Sequence, residues 1–343
     1  MSRLEDYQTA LLAAHDVVPK AELVSVIDGR GESFRQFVIA HGLGPLWHER
    51  TGLAEFDDCR MQAEALYLAQ SAALGEVTAI LESVGIHHVV IKGAANRLLL
   101  YDNPAIRACH DLDLLVRPED RVKAAEVLIE SGFVPKPDIS SISRELMLIR
   151  GAANIDLHWG ILREGRLRET STERLLQGRR RVGEMWALGA DDTMFTLLVH
   201  SAFAKHIASW ELGLHRVADI LAWLRTQEFD RSAVASMLEA DGANTAAWAT
   251  LRWVDLLSGK HAPPMLRDLL GDLKPGRLRR TWIDHWLQNN LPDRTVRARW
   301  IRLLGFSMFL HDTPGDALRA AIARARAKQR SREDLAAYDK LLG

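Results

Sequence analysis

The sequence predicts an α+β protein in which one small sheet lies between two helical regions. Between residues 86 and 160, short β-branched and apolar runs alternate with amphipathic runs, in the order strand, helix, strand, helix, strand, strand. Before residue 85 and after residue 190, apolar residues recur at helical spacing instead. We therefore divide the chain into an N-terminal helical region (residues 1–85), an α/β domain (86–185) and a C-terminal helical domain (186–343).

Composition places the chain among ordinary globular proteins and limits its partners. It has 343 residues, of which 48% are hydrophobic and 26% charged, and a net charge of −1 gives no bulk attraction for nucleic acid. Cys59 and Cys109 lie far apart, which is typical of a protein from a reducing compartment. Since no signal peptide and no long uncharged apolar stretch is present, we expect a cytoplasmic protein with no membrane partner.

Start and stop residues indicate where the individual elements lie. The stretch FRQFVIAHGLGPLWHER predicts a helix broken at Gly42 and Gly44, and Gly85 ends a helix that begins near residue 58. The next predicted elements are strand 87–91, helix 93–100, strand 113–116, a helix from Pro118 to Gly132, a brief strand at 133–134, and a hairpin of strands 145–150 and 154–159. Residues 162–181 are predicted as helix or loop, and Asp191-Asp192-Thr193 as the cap of the following helix.

An acidic pair opens the second strand. Side chains alternate along a strand, so Asp111 and Asp113 share one face. Two adjacent carboxylates repel each other unless a divalent cation lies between them, and oxygen ligands suit Mg²⁺ or Mn²⁺. The apolar continuation, LLV, places the pair at the end of the sheet. The alternative interpretation is a solvated strand edge.

A third carboxylate follows in the hairpin. Asp156 shares a face with His158, and a strand packed beside the others would bring it towards Asp111 and Asp113. Three carboxylates can hold two metal ions about 3.5–4 Å apart, a spacing used in phosphoryl and nucleotidyl transfer. An edge-strand aspartate is the alternative for Asp156. His158 either orients a ligand or is a partly buried imidazole with its hydrogen bonds satisfied.

Basic residues near the acidic pair are candidates for binding phosphate. Lys92-Gly93 joins a strand to a helix, where glycine lets the backbone approach an anion and the helix N-terminus favours phosphate. Arg107 could neutralise a triphosphate, or be an ordinary surface arginine. Lys205 and His206 interrupt an apolar helix and are candidates for contacting phosphate or base, although a solvated helix face explains them as well.

The order of these motifs resembles a known family. The run GIHHVVIKGAANRLLLYDNPAIRACHDLDLLVRPEDRVKAAEVLIESGF, followed by NIDLHW, is similar to the uncharacterised nucleotidyltransferase family of the DNA polymerase β-like superfamily, and the similarity extends over roughly residues 30–225. The resemblance implies the minimal nucleotidyltransferase fold, a mixed sheet flanked by helices. It assigns Asp111 and Asp113 to the metal-binding pair and Asp156 to the third carboxylate. The sequence departs from the superfamily at Lys92-Gly93, where Gly-Ser is usual.

We therefore predict a Mg²⁺-dependent (or Mn²⁺-dependent) nucleotidyltransferase that moves a nucleoside monophosphate from an NTP to an acceptor and releases pyrophosphate. The acceptor is a protein, a peptide or a small molecule, and RNA stays open because residues 317–332 are rich in arginine. Two alternatives come from other classes: a nucleotide-binding or interaction module without turnover, and a metal-dependent phosphohydrolase using His110, Asp111, Asp113 and His158.

Overall fold

The structure is a computed structural model that describes residues 3–136, 144–203, 213–226, 228–295 and 297–327. The α-helices are α1 Arg3–Ala10, α2 Lys20–Ala40, α3 Gly44–Thr51, α4 Asp57–Ser83, α5 Lys92–Leu100, α6 Arg121–Glu130, α7 Thr172–Gln177, α8 Ala190–Phe203, α9 Leu214–Thr226, α10 Arg231–Ala240, α11 Asn244–Ser258, α12 Pro264–Asp272, α13 Arg277–Gln288, α14 Leu291–Arg294 and α15 Arg299–Gly305. A further helical stretch covers residues 314–327.

Seven strands form one mixed sheet, which confirms the predicted α+β class. They are β1 His88–Ile91, β2 Leu112–Val116, β3 Val134–Pro135, β4 Glu145–Arg150, β5 Ala153–His158, β6 Arg180–Val182 and β7 Met185–Ala187. Their order in the sheet is β3-β4-β5-β2-β1-β7-β6. The central strand β2 is parallel to β5 and antiparallel to β1. Since β5 lies between β4 and β2, the edge-strand interpretation of Asp156 is wrong.

The register of the central strands brings the polar residues together. Asp113 lies opposite Ile91, the last residue of β1, and opposite Asp156 on β5. All five residues of β2 are buried, as are all four of β1. A buried strand of this kind must pair its backbone groups with neighbours on both sides. Asp113 is therefore fixed on a buried central strand, at the level where β1 ends.

Two groups of buried side chains form the core. The first covers the sheet with α4, α5 and α6, through residues such as Leu74, Val77 and Leu128. The second joins the N-terminal helices to the C-terminal ones, with Trp47 and Trp223 among its largest members. Helix α5 packs against α9, so the sheet and the helical half share a boundary. The division of the chain into three domains stays a prediction.

Several predicted element boundaries differ from the structure. The hairpin β4–β5 is present, and Gly151 at its turn has a φ of +58°. Helix α6 begins at Arg121 rather than Pro118, because residues 118–120 form a turn. Helix α8 begins at Ala190, so Asp191 and Asp192 lie in its first turn and do not cap it. Strand β6 lies where a helix or loop was predicted. Strand β7 lies where no strand was predicted.

In the part of the chain that the structure describes, no helix has the length and apolar character needed to cross a membrane.

Candidate active site

A compact group of side chains lies where β2 and β5 run side by side. Asp113, Asp156 and His158 each present one ligand atom, and these atoms lie within 4.8 Å of one another. The parallel register sets Asp113 beside Asp156, and the strand period puts His158 on the same face two residues later. Asp113 and His158 are buried, while Asp156 is partly buried. Two of the three predicted carboxylates thus meet, with an imidazole beside them.

Asp113 is held by two nitrogen atoms. Its Oδ1 lies 2.5 Å from Lys92 Nζ and 2.7 Å from His158 Nε2. The two nitrogens are 3.1 Å apart, and His158 Nδ1 lies 3.7 Å from Glu145 Oε2. Burial alone would raise the pKa of the Asp113 carboxyl, but the Lys92 ammonium and the His158 hydrogen bond outweigh it and hold that pKa well below its ordinary value. Asp113 is therefore ionised at any pH near neutrality.

The pKa values of the other two carboxyl groups, those of Asp156 and Asp111, are raised rather than lowered. Burial, followed by the negative charge of Asp113, raises the pKa of the Asp156 carboxyl to about 6. The same two causes raise the pKa of Asp111, which lies just before β2 and outside the compact group. Asp156 Oδ1 is buried and has no hydrogen-bond partner within the part of the chain that the structure describes. A divalent cation would offset the repulsion between the carboxylates and would bind the Asp156 oxygen, so these residues fit Mg²⁺ or Mn²⁺.

Lys92 has an unusual backbone for its side chain. It follows β1 and begins α5 with a φ of +57°, in the left-handed region that favours glycine. A non-glycine residue held there costs about 1–3 kcal/mol, and such residues cluster at functional sites. The side chain stays 21% exposed while its ammonium contacts buried Asp113. The fold therefore maintains a strained residue in order to place one positive charge beside a carboxylate.

A cavity of about 270 Å³ opens next to this group, between the end of the sheet, α5, α8 and α9. Both acidic residues of the predicted pair line it, together with cations and imidazoles. Its polar lining comprises His41, Lys92, Asn96, Arg107, His110, Asp111, Asp113, Thr193, Thr196, His200, Ser201, His215, Arg216 and Asp219. A wall with this mixture of charges suits an anionic ligand that carries a metal ion.

Arg107 lines the cavity but already has a partner. Its Nε and Nη2 both donate to the Asp219 carboxylate on α9, and the Nη2–Oδ2 distance is 2.9 Å. Tyr101 and Asn96 donate to the same carboxylate, at 3.0 and 3.1 Å. Burial would lower the pKa of Arg107, yet the Asp219 charge raises it. The surface interpretation of Arg107 is wrong, because the Arg107 and Asp219 side chains are only 9% and 1% exposed.

Gly93 lies at a closely packed position. A Cβ at this position would lie 3.1 Å from Cys109 Sγ and 3.3 Å from Arg107 Nη2. These distances are shorter than ordinary carbon contacts. Glycine therefore lets the first turn of α5 approach the segment that leads into β2. The predicted role of Gly93 in approaching an anion is compatible with this packing.

Arg216 is a cation of the cavity that the sequence analysis did not assign to the site. It lies in the first turn of α9, lines the cavity and is partly buried. Burial, and then the charge of Arg107, lower its pKa. Across the described ranges no carboxylate forms an ion pair with it. Arg216 is therefore available to bind an anion in the cavity.

Two half-buried histidines, His200 and His215, line the same cavity. Burial lowers the pKa of His200 and of His215 well below the ordinary value, and Lys92 and Arg107 respectively add to the effect. Both are therefore neutral near pH 7 and can accept or donate one hydrogen bond at each ring nitrogen. Lys205 and His206, the other predicted contacts in this region, lie outside the described residues.

Comparison with known families decides the class. The profile of the uncharacterised nucleotidyltransferase family matches residues 38–259, more than half of the chain. The chain belongs to this nucleotidyltransferase family. No curated protein shows a significant match to it. The matched range of this nucleotidyltransferase includes the whole sheet, the cavity wall and Arg216.

Proposed function

We propose that this nucleotidyltransferase is metal-dependent and transfers a nucleoside monophosphate from an NTP to an acceptor, with release of pyrophosphate. One observation carries the proposal: Asp113 and Asp156 lie side by side on parallel strands, and a buried carboxylate oxygen of Asp156 meets no hydrogen-bond partner in the described ranges. Lys92 neutralises Asp113 but not Asp156, whose raised pKa reflects burial beside the charge of Asp113, and a bound Mg²⁺ would make the ionised pair favourable. The acceptor is a protein, a peptide, a small molecule or RNA.

Asp113 and Asp156 would hold the metal ion, and Asp111, on the cavity wall beside Asp113, would supply a further oxygen. When bound, the ion polarises the phosphates and lowers the pKa of the acceptor hydroxyl. His158 fixes the orientation of Asp113 through the 2.7 Å contact with Oδ1. Because His158 is itself buried, that orientation does not depend on solvent.

The cationic side of the cavity would bind the triphosphate. Arg216 offers a guanidinium that has no ion-pair partner among the described residues, and a guanidinium can bind phosphate oxygens bidentately. Lys92 adds an ammonium, and the first turn of α5 adds backbone N–H groups that have no helical partner. Arg107 contributes less charge, because Asp219 neutralises it. Positive groups that are already in place stabilise the charge that develops on the leaving pyrophosphate.

The decisive experiment incubates the protein with Mg²⁺, each of the four labelled NTPs, and a cell extract as a source of acceptor. We expect label transfer and pyrophosphate release, both falling at least about 100-fold in Asp113→Asn and in Asp156→Asn. Asp58→Asn makes the same chemical change at an exposed position of α4 and should leave both signals unchanged. Nucleotide binding without pyrophosphate release in any extract would instead indicate a binding module, and Mg²⁺-dependent phosphate release from simple esters a phosphohydrolase.

A further inference from the structure

The contacts of Lys92 raise the question of how many metal ions the site can hold. A carboxylate that bridges two ions places one oxygen on each of them. Oδ1 of Asp113 already lies 2.5 Å from Lys92 Nζ and 2.7 Å from His158 Nε2. Only Oδ2 is then left for a metal ion. The arrangement around Asp113 therefore leaves room for one ion, not two.

The charges of the side chains around the site also favour a single metal ion. If all three carboxyl groups of Asp111, Asp113 and Asp156 ionise, they carry three negative charges before any nucleotide arrives. In the described part of the chain, Lys92 and His158 pair with Asp113, whereas no basic side chain forms an ion pair with Asp111 or Asp156. One divalent ion at these two remaining carboxylates offsets their charges, while the cavity cations face the charges of the nucleotide.

The backbone shows that this placement of Lys92 is maintained at a cost. A lysine at a φ of +57° is strained, and glycine would occupy the same position without strain. A strained lysine at this position therefore indicates that its side chain has a function. The ammonium also lines the cavity, where its remaining N–H donors can reach an anion.

We propose that this nucleotidyltransferase holds one metal ion and that the Lys92 ammonium takes the position and charge of a second. The inference rests on the proposed function and specifies its metal site. Asp156 and Oδ2 of Asp113 would hold the ion. Lys92 neutralises Oδ1 on the opposite side and donates to an oxygen of the substrate. Lys92 is thus a fixed cation and does not ligate the metal.

Electron paramagnetic resonance of Mn²⁺ tests the inference without an acceptor. The protein is mixed with an NTP analogue whose α,β-bridge cannot be cleaved, with Mn²⁺ in excess, and retention of the analogue by the protein is verified by gel filtration. Two Mn²⁺ ions about 3.5–4 Å apart give a spin-coupled spectrum, and a single ion does not. We expect an uncoupled single-ion spectrum for the wild type, for Lys92→Arg, and for the control Lys260→Met at an exposed position.

Lys92→Met should admit a second ion and give the spin-coupled spectrum. Lys92→Gly should behave in the same way and provides a second variant if the methionine variant does not fold, since glycine tolerates the left-handed backbone. A coupled pair in the wild type overturns the inference and leaves the proposed function standing. A single ion in both foldable Lys92 variants also overturns it. No retention of the analogue and no bound Mn²⁺ in the wild type would refute the proposed function itself.

Discussion

Replacing Asp156 with asparagine should stabilise the metal-free protein near neutral pH, even though it removes a residue of the active site. Burial and the charge of Asp113 raise the pKa of Asp156 to about 6, against about 3.9 in an unfolded chain. Because the folded state binds the proton more tightly, ionisation of Asp156 reduces stability as the pH rises from about 4 to 6, and the full loss persists above that range. Asparagine carries no charge, so the variant does not lose this stability as the pH rises.

The size of the effect follows from the shift. Two pKa units correspond to about 3 kcal/mol, and partial exposure of the side chain reduces this to about 1–2 kcal/mol. Wild type and Asp156→Asn are compared by urea unfolding in EDTA, at about pH 4 and about pH 8, where the carboxyl is respectively protonated and ionised in the folded state. The variant should gain stability only at the higher pH.

Added Mg²⁺ should then reverse the order. The ion stabilises the wild type by binding its folded state and has little effect on the variant, which lacks one ligand. Asp58→Asn, exposed on α4, serves as the control and should follow the wild type in all conditions. The reasoning is refuted if Asp156→Asn destabilises the metal-free protein at about pH 8, or if the difference between the proteins is the same at both pH values.

Four further predictions concern the cavity. Asp219→Ala leaves the buried Arg107 charge without its partner and should cost about 3–5 kcal/mol in urea unfolding. Arg216→Gln should weaken binding of inorganic triphosphate about tenfold in calorimetry, with little change in stability, because Arg216 forms no ion pair with any described residue. Gly93→Ala forces a Cβ to 3.1 Å from Cys109 Sγ and should lower the thermal midpoint, at a cost of about 1–3 kcal/mol. Burial raises the pKa of the Cys109 thiol to about 11, so Ellman's reagent should modify it only after unfolding.

Local patterns in the sequence were sufficient to predict most of the sheet. The β-branched run before Lys92, the apolar run after Asp113 and the two runs around Gly151 all form the expected strands. Strands β6 and β7 have three residues each, too few for an alternating pattern to be recognised. The two form a short hairpin with each other, and its attachment to the sheet through the pairing of Ala187 with Val90 of β1 is a long-range interaction that no local signal contains.

The acidic residues of the site could be predicted for a similar reason. Asp113 and Asp156 each belong to a strand with a clear pattern, so only the pairing of β2 with β5 had to be assumed. The partners of the basic residues could not be predicted from local patterns. Arg107 binds Asp219, 112 residues away, and the contact of Lys92 with Asp113 depends on a left-handed backbone that sequence patterns assign to glycine. Side chains that reach across the fold are set by tertiary packing rather than by local preference.

The three cations of the cavity differ in how much charge they can offer, and this difference indicates how the nucleotide would be bound. Arg107 is neutralised by Asp219, and Lys92 is paired with Asp113, so Arg216 has the largest uncompensated charge of the three. Arg216 and Asp219 lie three residues apart on α9 and therefore on the same face of that helix. The ion pair of Asp219 with Arg107 consequently fixes the helix turn that carries Arg216. An Arg107→Met, Asp219→Leu double variant removes the buried charges together, so it should fold, yet it should still bind triphosphate less tightly than the wild type because Arg216 is no longer held in place.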